Sequence, residues 1–143
     1  MRASLIIFTG ILACLSCNKQ KKPEIIKDEI FNTEKEFEKM ASEKGIAEAF
    51  YHFADKNAVI KRDTLIKGKE NIREFYSREN FNNAVLNWAP DFVEVSECGT
   101  LGYTYGKFTS KTQSDSGSVN EFSGIFHTVW KKQEDGSWKY VWD

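Results

Sequence analysis

The chain is 143 residues long, 41% hydrophobic and 14% aromatic, enough for one domain with a full core. Its 20 Lys+Arg against 21 Asp+Glu leave a net charge of −1, without the basic excess of a nucleic-acid-binding protein. Nine Gly and two Pro exclude collagen-like and low-complexity classes, and three Cys exclude a disulfide-dense scaffold.

Behind Arg2, residues 5–15 form a mostly apolar run, the length of a signal-peptide core and too short to span a bilayer. Small residues precede both Cys14 and Cys17, and the chain then switches to Asn18-Lys19-Gln20-Lys21-Lys22-Pro23. This resembles a bacterial lipoprotein signal, in which the cysteine after such a box is lipidated and becomes the mature N-terminus. The resemblance implies a signal peptide over residues 1–16, lipidation of Cys17 (alternatively Cys14), a tether over residues 17–24 and a domain over residues 25–143. The address implied is the bacterial cell envelope, with a membrane as partner through the lipid. An ordinary secretory signal that leaves Cys17 in the mature chain is the competing reading. Cleavage before Cys17 leaves Cys98 as a free thiol; cleavage before Cys14 would allow Cys17 and Cys98 to pair.

Residues 24–43 carry Ile26, Ile30, Phe37, Met40 and Ala41 at helical spacing, with Phe31 widening the stripe, a surface helix with a narrow buried face. Gly45 breaks it, and residues 46–54 predict a second helix with Ile46, Ala49, Phe50 and Phe53 on one side. Ala58-Val59-Ile60 predicts a short strand. After Gly68, residues 69–78 predict a third helix buried through Ile72, Phe75 and Tyr76.

From Ala84 the period becomes two. Residues 84–88 and 92–96 predict separate strands parted by Pro90. A turn at Gly99 leads into residues 101–111, where Gly102 and Gly106 predict a bulge or sharp bend. Residues 121–132 predict a long strand with Phe122, Phe126 and Trp130 on one face and Ile125, His127 and Val129 on the other. Asp135-Gly136 predicts a hairpin turn into a last strand with Trp138, Tyr140 and Trp142. Helices followed by a meander predict an α+β fold, helices covering one face of a strongly bent antiparallel sheet and leaving a conical apolar cavity.

The segment Gly68-Lys69-Glu70-Asn71-Ile72-Arg73-Glu74-Phe75-Tyr76 resembles a motif of ketosteroid-isomerase-like proteins, as does Phe53-Ala54-Asp55 before a strand. Gly99-Thr100-Leu101-Gly102-Tyr103-Thr104-Tyr105-Gly106 and Trp130-Lys131-Lys132-Gln133-Glu134-Asp135-Gly136-Ser137-Trp138-Lys139 are similar to the domain family called DUF4440, of the NTF2-like (cystatin-like, SnoaL-like) superfamily. The resemblance spans roughly residues 25–143. It implies the NTF2-like cone and, often, a homodimer through the outer face of the sheet. Because this fold hosts many activities, function does not follow from it.

The isomerase base would fall about the fifth residue of the first strand, which is Arg62; Asp63 is one residue on, and one step along a strand changes face. Asp63 is thus the candidate catalytic carboxylate, provided a bulge or loop redirects it. His52 lies off its helix's apolar stripe and reads as a surface histidine; His127 reads as facing the outer sheet surface. Tyr103, Tyr105, Trp130, Thr128, Trp88 and Phe53 are the candidate ligand-binding residues, since buried Tyr and Trp present polar tips as well as apolar faces. Asp91, Glu94 and Asp143 read as surface or strand-end carboxylates. No metal-ligand spacing, phosphate loop or nucleophile elbow is present, so neither metal nor cofactor is expected. The leading expectation is a small apolar ligand in the cone. An acid–base enzyme acting on a small carbonyl or hydroxylated compound, and a sheet-mediated dimeric interaction module, are the alternatives.

Overall fold

The computed structural model describes residues 22–78, 81, 83–113 and 117–143; Cys14 and Cys17 lie outside the described residues. Helix α1 (Pro23–Lys44) opens with a proline in its first turn, where the missing N–H costs nothing, and ends at Gly45 with a positive φ of 91°. Its buried positions are Ile26, Ile30, Glu34, Phe37 and Ala41, one stripe with a carboxylate in its middle. Helix α2 (Ile46–Phe53) buries Ile46, Ala49, Phe50 and Phe53. Helix α3 (Lys69–Tyr76) follows Gly68 and buries Ile72 and Tyr76.

Six strands form one sheet in the order β2-β1-β6-β5-β4-β3. They are β1 (Ala54–Lys61), β2 (Leu65–Lys67), β3 (Ala84–Val95), β4 (Leu101–Gln113), β5 (Val119–Lys132) and β6 (Trp138–Trp142). The sheet is mixed rather than wholly antiparallel, because β1 runs parallel to β6, Ala54 opposite Tyr140 and Val59 opposite Trp142. The chain runs from β1 to the edge strand β2, builds the meander from the far edge inwards, and returns beside β1 in the same direction.

The break expected at Pro90 is a bulge inside one continuous strand. Pro90 pairs with Gly106 and Phe92 with Tyr105, which leaves Asp91 as the extra residue and bends β3. Gly106 is required there, since a Cβ would sit 2.2 Å from the Ala89 carbonyl oxygen. Gly102 has a different role: a Cβ would lie 2.4 Å from Ile30 Cδ1, so its bareness lets α1 press onto β4. Below this contact the core is aromatic. The Phe37 ring meets Phe50 and Trp88 edge-on at 4.8 Å and stacks on Tyr140 at 5.8 Å. Such pairs add about 0.5–1.5 kcal/mol each beyond area burial. Strand β6 pairs with only Val129–Lys132 of β5. The long strands β3, β4 and β5 therefore run on beyond it, and their inner faces wall a hollow under the helices.

Candidate ligand-binding site

The hollow has a volume of about 660 Å³, within the range of small-molecule sites. Alternate residues of the long strands face it: Ala84, Leu86 and Trp88 from β3, Phe108 and Ser110 from β4, Phe122, Gly124 and Phe126 from β5. The helical side supplies Phe37, Ile46, Phe50 and Tyr76, with Phe81 after α3. Lys61 and Arg62 at the end of β1, and Trp142 and Asp143 at the end of β6, complete the wall. The parallel pairing of β1 with β6 is what brings Arg62 and Asp143 together.

The polar groups cluster at that end. Arg62 Nη2 donates to Asp143 Oδ1 at 2.7 Å and also to the Tyr76 hydroxyl; Arg62 Nε donates to the same hydroxyl at 2.7 Å. Arg62 Nη1 donates to the Lys61 carbonyl at 2.8 Å. Thr128 Oγ1 donates to Asp143 Oδ2 at 3.1 Å. Burial works against the Arg62 charge, but the Asp143 carboxylate and the Tyr76 oxygen outweigh it and hold the guanidinium above its usual value. Burial also raises the Tyr76 phenol.

Behind the wall lies a second polar cluster. Glu34 is fully buried. It accepts from Trp88 Nε1 at 2.9 Å, from Trp130 Nε1 at 3.0 Å and from Thr104 Oγ1. Burial is the largest influence on its carboxyl and raises it to about 6, with the Asp143 charge adding and the three donors opposing. Trp88 joins this cluster to the cavity, one edge bonded to Glu34 and the ring forming wall.

Most of the ligand-binding residues expected from sequence lie elsewhere. Tyr103 and Tyr105 are exposed on the opposite face of the sheet, Tyr105 stacked on Phe92 at 5.1 Å and Tyr103 5.8 Å from the His127 ring. The inner positions of β4 that alternate with them are Gly102, Thr104 and Gly106, small because α1 and the β3 bulge press against two of them. Trp130 and Phe53 are buried in the core and do not line the cavity. Thr128 is buried and reaches the site through Asp143. Trp88 lines it directly. Asp63 is exposed in the turn after β1 and does not line the cavity, whereas Arg62, one step earlier, does. His52 is exposed, and His127 is exposed at the cavity rim.

Sequence reasoning missed Glu34, the cavity-facing position of Tyr76 and the inward placement of Asp143, whose side chain is only 11% exposed. The only signal for Glu34 was its place between Ile30 and Phe37 on the buried stripe of α1. Among the described residues no group of three His, Cys, Asp or Glu is placed to hold a metal ion.

No protein-family model matches the sequence, and no curated protein matches it. Solved structures do. An NTF2-like superfamily protein from Salmonella enterica serovar Typhimurium superposes with a TM-score of 0.70 at 14% identity, over 83% of this chain and 88% of that one. An NTF2-like protein with a cystatin-like fold from Novosphingobium aromaticivorans gives 0.67 at 13% identity, over 83% and 79%. A ketosteroid isomerase-like protein from Erwinia carotovora gives 0.63 at 14% identity, over 79% and 89%. Identity at this level speaks for the backbone path alone, and that path makes the chain an α+β protein of NTF2-like fold.

Proposed function

We propose that this chain is an envelope lipoprotein whose DUF4440-like domain binds a small, largely apolar molecule in its cone. The observation that carries the reading is the cavity itself, about 660 Å³ of space walled mainly by Phe, Trp, Leu and Ala side chains with polar groups gathered at one end. A hollow of this size leaves rings unpacked on one side, a loss that a ligand body makes good.

The neutral probe N-phenyl-1-naphthylamine tests it. The wild-type protein should take up the probe with a blue-shifted, enhanced emission. Ala84→Trp, which places an indole in the hollow, should weaken uptake at least about tenfold, roughly 1.4 kcal/mol, with far-UV circular dichroism unchanged. No uptake by the wild type, or equal uptake by a folded Ala84→Trp protein, overturns the reading.

The acid–base alternative loses its expected base, since Asp63 stands outside the cavity. Among the described residues the carboxylate on the wall is Asp143, with one oxygen on Arg62 and the other on Thr128. A general base must be free to take a proton from substrate. This pairing favours binding over turnover.

We further propose that the outer face of the sheet seats a second copy of the chain. Phe92, Leu101, Tyr103 and Tyr105 are exposed there, and the Phe92 ring already stacks on Tyr105 and lies tilted against Tyr103. A patch of this kind marks a contact surface.

A further inference from the structure

We infer that the molecule held in the cone is an anionic amphiphile, its apolar body among the rings and a carboxylate-like head at Arg62, Tyr76 and Lys61. The inference rests on the small-molecule reading above and deepens it.

The count of hydrogen-bonding groups points to an acceptor. A guanidinium has five N–H groups. Arg62 spends two on Tyr76, one on Asp143 and one on the Lys61 carbonyl, so one Nη1 N–H has no acceptor among the described residues. The Tyr76 oxygen receives two N–H groups from Arg62, so its own proton must be donated elsewhere, and it too has no acceptor among the described residues. Both residues line the cavity. A ligand arriving at this end meets unspent donors, and an oxygen acceptor satisfies them.

The side-chain charges favour an anionic acceptor over a neutral one. Lys61 and Arg62 are the cationic side chains on the wall, and Asp143 is the anionic one. Asp143 answers Arg62 at 2.7 Å, and among the side chains that line the cavity no second carboxylate answers Lys61. Lys61 Nζ donates to the carbonyls of Arg62 and Asp63, so it is held at the same end of the cavity by neutral acceptors. The remaining lining groups are rings, aliphatic side chains, Ser110 and the rim imidazole of His127, none of which brings negative charge. Charge-assisted hydrogen bonds are about twice as strong as neutral ones, so a carboxylate gains more here than a ketone of the same shape.

Competition against bound N-phenyl-1-naphthylamine tests this with three ligands sharing one body: 2-naphthoate, 2-acetonaphthone and 2-ethylnaphthalene. In the wild-type protein 2-naphthoate should compete about tenfold more tightly than 2-acetonaphthone, and 2-ethylnaphthalene should be weakest. Tyr76→Phe should weaken 2-naphthoate several-fold and leave 2-ethylnaphthalene unchanged. Lys61→Met, at an exposed position, should also weaken 2-naphthoate and leave the neutral pair unchanged, and it serves if Tyr76→Phe does not fold. A ketone that competes as well as the naphthoate overturns the anionic head while the apolar-ligand reading stands. Indifference of 2-naphthoate to Lys61→Met also overturns it. Failure of the wild type to bind N-phenyl-1-naphthylamine removes both readings together.

Discussion

Glu34 is the residue whose energetics are least ordinary. A carboxylate with no solvent exposure is normally expensive, and here three donors offset part of that cost. Its carboxyl sits at about 6 against a usual 4.5, with burial the largest cause. A raised folded-state value means that the folded protein holds the proton more tightly than the unfolded chain. The stabilisation is complete below the unfolded value near 4.5 and is lost as pH rises through about 6. The difference is about 2 kcal/mol. Urea unfolding from pH 7 down to pH 4.5 should show the wild type gaining about this much relative to Glu34→Gln, whose amide does not titrate. Equal slopes in the two proteins would show that Glu34 is not the group responsible. Trp88 gives this cluster a bearing on the cavity, since the indole that Glu34 anchors is also wall. Little of this was legible in the sequence. Helical periodicity placed Ile26, Ile30, Phe37 and Ala41 on the buried stripe of α1, while Phe31, added to its edge, is exposed; a Glu within the stripe reads as solvent-facing until the two Trp N–H groups that meet it, 54 and 96 residues away, are seen.

At the scale of elements, the meander was legible as strands, and the faces of its strands less so. In β5 the alternation placed Phe126 and Trp130 on the inner side, and the structure has them half-buried and buried. In β4 the same reasoning turned on the wrong residues, because bulk was taken as the mark of the inner face. The inner side of β4 is made of small residues where helix α1 and the β3 bulge come close; the tyrosines are displaced to the outside. That leaves an outer face with an unusual load of exposed rings. Tyr105 is 41% exposed and Tyr103 39%, with Phe92 at 37% against both. Cross-strand neighbours of this kind are worth only about 0.2–1 kcal/mol per pair to the sheet, so the fold gains little by keeping them in water. If the face seats a second copy, the protein sediments as a dimer and Tyr105→Glu converts it to a monomer, with two charges facing each other across a two-fold contact. Circular dichroism should stay unchanged, since Tyr105 is outside the core. A wild-type protein that sediments as a monomer at tens of micromolar would remove the second copy from that surface.

At the scale of the whole molecule, the domain is described by the structure, and the envelope address proposed for it rests on residues 1–24 of the sequence alone. The three helices, the meander and the α+β class were legible because those elements carry their own period; the three-residue strand β2 (Leu65–Lys67) is too short to show one, and the bulge at Asp91 made one long strand read as two. The parallel β1–β6 pairing was not, since it joins segments some 85 residues apart, Ala54 to Tyr140 for one, and no local pattern announces it. That pairing is also what makes the polar end of the cavity, so the site was less legible than the fold that carries it. The proposed address would have a geometric consequence. Helix α1 starts at Pro23, so a lipid on Cys17 leaves about six residues of tether, a reach of roughly 20 Å at about 3.5 Å per residue. The domain would then stay within about its own diameter of the membrane, with Lys19, Lys21 and Lys22 next to the head groups. One acyl chain alone binds only marginally, and stable anchoring takes a second signal. Metabolic labelling of the full chain in a bacterial host with a fatty-acid analogue should mark the wild type and Cys14→Ala and should leave Cys17→Ala unlabelled and released from the membrane fraction. Label retained in Cys17→Ala but lost in Cys14→Ala would move the anchor to Cys14 and lengthen the tether by three residues; an unlabelled wild-type protein would leave the ordinary secretory signal as the reading of residues 1–16.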